Sequence, residues 1–257
     1  MSRRPAVVVL VLTFLVLTSD AVGQNPPASD PQALSFATQS IAALTGGTNI
    51  SDVSLTGSVT WNGSDTGTAT LQALGTGESR MDLALTSGTR TEIRDVQTGA
   101  PIGQWISPNN SSGNFAPHNC WTDAVWFFPA LGSLAAGPNV VLSYIGQESR
   151  SGVTVQHVQS YQYLTGQFPS PQQLSTMDFY LDANTFLPVA LTFNAHPDND
   201  ANTDLLVEVD FSSYQAISGV VVPLHIQKYQ QGNLMVDVSI SGASFNTGLS
   251  LSIFALN

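Results

Sequence analysis

The sequence predicts an α+β protein, mostly antiparallel sheet, in which about ten strands curl around two helices. Three observations carry this. Apolar and polar residues alternate through most of the chain after residue 50, the period-two pattern of strands with one wet face. Two segments break that pattern with helical spacing, one before the strands and one among them. The strands also offer more apolar face than two helices can cover. Ten strands about 4.8 Å apart and each about 22 Å long present roughly 1,000 Å². Two helices about 22 Å long and about 10 Å wide cover less than half of that. A flat sheet would leave the remainder wet, so the sheet must fold into a sandwich or curl into a barrel or half-barrel. The order helix, strands, helix, strands favours curling. A curled interior that side chains do not fill is a ligand cavity.

The elements follow in order. Arg3 and Arg4 precede an apolar stretch over 6–17 broken only by Thr13, and Ala21-Val22-Gly23 supplies small residues before Gln24. This predicts a cleaved signal peptide at 1–23 and one domain over 24–257. The apolar run falls short of the roughly 20 residues of a membrane span. No cysteine follows it, so the expected product is exported without a lipid anchor, to the periplasm or, as second choice, outside the cell. Ser29-Asp30-Pro31 reads as a helix start, with Leu34, Ala37, Ile41 and Leu44 on one face and Gly46-Gly47 as the stop. Val53, Leu55, Val59 and Trp61 then alternate with Ser and Thr up to an Asn62-Gly63 turn. Ala69, Leu71, Ala73 and Met81, Leu83, Leu85 continue the period, with less regular strands at 89–95 and 102–106. A loop rich in Asn, Ser, Gly and Pro at 107–119 leads to a helical segment at 120–134. Strands resume at 140–145, 153–163 and 178–181. The sets beginning at Leu187, Leu205, Val220 and Leu234 alternate cleanly.

Charge excludes some functions. The net charge is −11, and removing Arg3, Arg4 and Asp20 with the leader makes the remainder about −12. Only Arg80, Arg90, Arg94, Arg150 and Lys228 remain as fixed cations, too few and too scattered for nucleic acid or anionic membrane surfaces. Charged residues make up 10% of the chain, against about 25% in ordinary soluble domains. The single Cys120 rules out an internal disulfide and a cysteine zinc site.

No residue pattern reads as an active site, so neither an enzyme nor a cofactor is expected. G-x-S-x-G, P-loop, dinucleotide and HExxH spacings do not occur. Cys120 lies two residues from His118, but a small buried cysteine needs no catalytic role. Asp198, Asp200, Asn202 and Asp204 resemble the first half of a calcium loop. Thr203 stands where its glycine belongs and Val209 where its bidentate glutamate belongs, so an acidic hairpin is the better reading and no metal is expected. In the mid-chain helix, Trp121, Ala124, Val125 and Phe128 share a face while Trp126 and Phe127 point elsewhere. A helix apolar nearly all round is either plain core or faces an apolar ligand.

One stretch carries a family likeness. It runs Phe179-Tyr180-Leu181-Asp182, Leu187-Pro188-Val189, then 207–214 ending Ser212-Ser213-Tyr214, Gly219-Val220-Val221-Val222-Pro223 and Ile226. With the helix–strands–helix–strands order, this resembles the periplasmic lipoprotein-carrier (LolA/LolB-like) superfamily. The resemblance implies a curled half-barrel of about ten to eleven strands, with an N-terminal helix and a mid-chain helix covering the concave face. It implies a carrier of lipid or lipoprotein acyl chains, or alternatively an envelope sensor or protein-interaction module. The carrier is favoured, because a sensor ordinarily needs a second domain or a tethered partner. The expected cavity and lid residues are Leu34, Ile41, Trp61, Trp121, Val125, Trp126, Phe127 and Phe128. Carriers of this kind also hold the lid with an interior arginine; Arg80 and Arg94 lie on early strands, and neither is assigned that role.

Overall fold

The structure, a computed structural model, describes residues 27–96, 101–122, 139–163 and 171–256. The predicted signal peptide and nearly all of the predicted mid-chain helix lie outside these residues. The N-terminal helix α1 (Pro31–Thr45) begins where predicted: Asp30 Oδ1 accepts hydrogen bonds from the Gln32 and Ala33 amides at 2.7 and 3.4 Å, and Pro31 occupies the first turn. Gly46, at φ +59°, ends it. The strands that follow are β1 (Asp52–Trp61), β2 (Asp65–Leu74), β3 (Ser79–Leu85), β4 (Gly88–Asp95), β5 (Ile102–Ile106) and β6 (Ser112–Asn114). After a 3-10 turn at Pro117–Asn119 come β7 (Val140–Arg150), β8 (Val153–Gln162), a short helix α2 (Pro171–Ser175) and β9 (Met177–Asp182). Then β10 (Pro188–Ala195), β11 (Leu205–Ile217), β12 (Val220–Gln230) and β13 (Asn233–Phe245) complete the sheet, and a 3-10 turn at Leu251–Phe254 ends the chain.

Among the described residues thirteen strands form one antiparallel sheet in the order β6-β5-β4-β3-β2-β1-β13-β12-β11-β10-β9-β8-β7. The meander is closed through β1 against β13, which leaves β6 and β7 as the edges. Two-residue turns at Ser151-Gly152, Ser218-Gly219 and Gln231-Gly232 put both central residues at positive φ, matching the twist of their strands. Three departures from the sequence reading have local causes. The predicted loop at 107–119 contains β6, whose Gly113 and Asn114 pair with Trp105 and Gln104 without any apolar alternation to announce it. β7 runs on to Arg150 through a bulge at Tyr144/Gly146 that breaks the period. α2 is a single turn, too short for periodicity to reveal.

Register separates the two faces. Met81, Leu71 and Leu55 stand opposite one another across β3, β2 and β1, and Val209, Leu191, Phe179 and Val158 across β11 to β8. All seven are buried and belong to one core on the concave face. α1 crosses this face, packing on β7, β8 and β12, with the Phe36 ring 5.2 Å from Tyr144. The helix does not present the face expected of it. The Asp30 amide donates to Leu142 O at 2.8 Å, and in that setting Ala33, Ala37, Ser40 and Leu44 are buried. These mostly small side chains let the helix lie close to the sheet. Leu34 is instead 46% exposed, a correction to the sequence reading, and Ile41 is half-buried.

The convex face is polar but not bare. Val155, Tyr180 and Ala190 form a small second cluster, with Arg150 stacked 4.0 Å over the Tyr180 ring and paired with Glu208. His225 Nε2 meets Asp237 at 2.9 Å, Gln227 donates to the same carboxylate, and Ser212 Oγ lies 3.3 Å from His225 Nδ1. Ser212, His225 and Asp237 thus fall in line, and His157, Gln159 and Asp178 repeat the grouping on β8 and β9 without the serine. The repetition marks it as a cross-strand ladder.

Asp210 shares the convex face with Glu208, and burial together with that neighbouring carboxylate raises its pKa to about 6. The folded state therefore holds a proton that the unfolded chain has already released, so stability falls as pH rises from about 4 to 6 and stays reduced above that. Asp210→Asn removes the penalty. Its melting temperature should exceed the parent's by about 2–4 °C at pH 7.5, roughly 1 kcal/mol once screening of a half-buried group is allowed for. The gap should close towards pH 4; a gap independent of pH would refute this account.

Candidate ligand cavity

On the concave face the sheet and α1 share one apolar core, and a cavity of about 240 Å³ opens at one end. That end holds the β1–β2, β3–β4, β10–β11 and β12–β13 turns. Its apolar wall is Trp61, Met81, Phe115, Val207, Met235 and Val236. The polar wall is Arg90, Glu92, Asn119, His196, Lys228 and Gln230. Alternation places these groups: Trp61 faces Val236 across β1 and β13, Lys228 faces Val236 and Val209, and Glu92 faces Met81.

Two aromatic–cation stacks shape the β4 side. Arg90 lies 4.4 Å over the Trp61 ring while its Nε and Nη2 donate to Glu92 Oε1 at 2.9 and 2.6 Å. Arg94, 4% exposed, lies 4.4 Å over Phe115 and donates to Asn119 O at 3.3 Å. Of the two arginines singled out from the sequence, Arg94 is therefore interior. Arg80 points out, to Asp82 and to Ile253 O.

The segment after β6 reaches across the curl and closes it. Asn119 Nδ2 donates to His196 O at 2.7 Å, and Asn119 Oδ1 accepts from the His196 amide at 2.8 Å. One side chain thus makes the pair of bonds that an adjoining strand would make, at the end of β10 and 77 residues away. His118 Nε2 adds a bond to Pro197 O at 2.9 Å. The fully buried His196 ring directs Nδ1 to Thr203 O at 3.1 Å, and among the described residues its Nε2 has no hydrogen-bond partner. Cys120, next in the chain, is buried, with Sγ 3.6 Å from Ala116 O. The acidic stretch 198–204 is a turn between β10 and β11, in which Asp200 accepts from the Asn202 amide and the Thr203 hydroxyl.

Of the expected cavity and lid residues, Trp61 lines the cavity and Ile41 is half-buried on α1. Leu34 faces solvent, and Trp121 is half-buried in the turn after Cys120, where a helix was expected to begin. Val125, Trp126, Phe127 and Phe128 lie outside the described residues. The sequence reading missed Arg90, Lys228, His196 and the two methionines. Lys228 was detectable: it continues the series Val220, Val222, Leu224, Ile226 at the apolar parity, where a charge is out of place.

Neither protein-family models nor curated proteins match the sequence. Solved structures match the fold. A domain from Vibrio parahaemolyticus named for outer membrane lipoprotein sorting aligns over 87% of this chain and 96% of its own, at 14% identity and TM-score 0.56. A LolA superfamily protein from Nitrosomonas europaea aligns over 87% and 97%, at 11% identity and TM-score 0.52. The chain has the LolA-like fold. Within that fold the curled sheet carries thirteen strands among the described residues, against the ten to eleven expected. Among those residues no helix is long and apolar enough to cross a membrane.

Proposed function

We propose that the protein is an exported periplasmic carrier without enzymatic activity, residues 24–257 forming one domain that receives the acyl part of a lipid or lipoprotein on its concave face. The observation that carries this reading is the cavity at the open end of the LolA-like curl, walled by aromatic and methionine side chains. Its volume lies just below the roughly 300–1,000 Å³ usual for small-molecule sites, enough for a head group and the first carbons. A longer chain needs more room. Met81 and Met235 stand in the wall, and unbranched, polarisable methionine changes rotamer at low cost. The cavity can deepen into the core by turning these two side chains aside.

Titrating the purified protein with a fluorescent fatty-acid analogue should give saturable binding at one site per chain, accompanied by a change in tryptophan emission that shrinks in Trp61→Phe. Absence of saturable binding would overturn the carrier reading.

A further inference from the structure

A neutral imidazole carries one donor and one acceptor, and the bond made by either nitrogen fixes the role of the other. His196 shows this in the cavity wall. Asn119 holds both its backbone amide and its carbonyl, which fixes the residue at the end of β10. Its Nδ1 lies 3.1 Å from Thr203 O, and the Asp204 carboxylate lies 3.5 Å from the same nitrogen. Both neighbours are acceptors, so Nδ1 carries the proton of the neutral ring and donates it to the β10–β11 turn. Nε2 is left as the acceptor, on the edge of the ring away from that contact. The side chain is fully buried, and among the described residues Nε2 has no hydrogen-bond partner. His118 does not supply one. Its ring stands 6.0 Å away, edge-on, and its own Nε2 bonds Pro197 O. Native proteins seldom leave a buried acceptor unmet without a role for the atom. The rest of this part of the wall is apolar, with Ala195, Val207, Met235 and Val236 around the same space.

We propose that the cavity selects an amphiphile whose head carries a hydrogen-bond donor, a hydroxyl or an amide N–H, and that His196 Nε2 accepts that bond. This rests on the reading of the cavity as a ligand site and adds the class of head group it takes. The acceptor is buried below the wall, so a donor reaches it only as the cavity deepens around an entering ligand. The first carbons beyond the head then lie against Val207, Met235 and Val236. An acylglycerol brings such a hydroxyl and an N-acylated amine such an N–H, whereas a fully substituted ester, ether or amide brings neither.

The test pairs ligands that differ in the donor alone. Dodecanol and dodecyl methyl ether carry and lack the hydroxyl; N-methyldodecanamide and N,N-dimethyldodecanamide carry and lack the N–H. Titration calorimetry on the full chain should show the donor-bearing member binding about tenfold more tightly, one decade being 1.4 kcal/mol. The capping methyl adds apolar area that favours the other member, so hydrophobicity cannot produce this preference. A preference in the first pair alone assigns the site to hydroxyl heads, in the second alone to amides, and in both to the donor itself. Nitrogen NMR reads the acceptor directly: the His196 Nε2 resonance should move with dodecanol and stay in place with its methyl ether. His196→Phe keeps a planar ring without the acceptor, and should weaken the donor-bearing ligands until each pair binds equally. Equal binding within both pairs by the parent protein would overturn the proposal and leave the carrier reading standing. Binding of none of the four would overturn the carrier reading itself. The paired titrations use the parent chain alone, so they decide the matter even if His196→Phe fails to fold.

Discussion

Asp52→Ala should lower the melting temperature by about 10 °C, the largest loss expected from a single change outside the apolar core. Asp52 is 2% exposed at the start of β1. Its carboxylate accepts from the Thr247 amide at 2.8 Å, the Thr247 hydroxyl at 2.9 Å, the Gly248 amide at 2.9 Å and the Ser51 hydroxyl at 3.3 Å. Burial alone would raise its pKa. The two backbone amides and the hydroxyls outweigh it and hold the carboxyl below the ordinary range. Truncation takes the charged acceptor away from two backbone amides and a hydroxyl on the exposed residues Thr247 and Gly248, at about 1.5–3 kcal/mol for each bond to a charged group, and frees the terminal segment. That segment carries Phe254, 1% exposed beside β3 and β4, and the carbonyl of Ile253 that Arg80 holds. A loss of about 3–5 kcal/mol corresponds to roughly 6–20 °C in a domain of this size. The sign with pH follows from a depressed carboxylate: the stabilisation is complete above the unfolded pKa near 3.8 and is lost as pH falls through the lower folded value. Parent and variant melts should therefore converge in strong acid. Equal melts at pH 7 would show that the terminal segment is held by Phe254 without the carboxylate.

How far the fold could be read in advance depended on which faces were apolar. Strands such as β3, β11 and β13, whose buried residues fall at every second position, were legible because one wet and one dry face leave a period of two. The same pattern hid the far half of β7 and all of β6, where polar and glycine residues are held by backbone pairing alone. The phase of α1 was misjudged for a related reason. Leu34 has the greater hydrophobicity, but the Asp30–Leu142 bond and the need for close approach turn Ala33 and Ala37 inward. The candidate site was less legible than the fold. Trp61 could be placed by alternation, whereas Asn119 and His196 come together only when the edge of the sheet crosses to the β10–β11 turn. No local pattern encodes a contact across 77 residues. Lys228 lay between these cases: it breaks the apolar parity of Val220, Val222, Leu224 and Ile226 on its own strand, whereas Arg94 shares its parity with Arg90 and Glu92 and gave no such signal.

Asn119→Ala tests whether that crossing controls the cavity. The side chain satisfies both the amide and the carbonyl of His196, a residue 3% exposed. Its removal leaves two backbone groups without partners, worth about 2–4 kcal/mol together. The melting temperature should fall by roughly 5–15 °C. His118→Ala removes one bond, to Pro197 O, and should cost less than half as much. Stability alone does not distinguish a clasp from an ordinary turn contact, because either would melt earlier when cut. Exchange kinetics do. Asn119 and His196 both line the cavity, so a clasp that opens for ligand entry predicts that Asn119→Ala speeds association and dissociation of a dodecanoate probe together, by about tenfold each, with little change in Kd. Each partner's rate would then be limited by an opening step whose cost the substitution has reduced. A turn contact with no gating role predicts the same loss of stability with both rates unchanged. Stopped-flow measurements at a temperature where parent and variant are both fully folded separate the two outcomes.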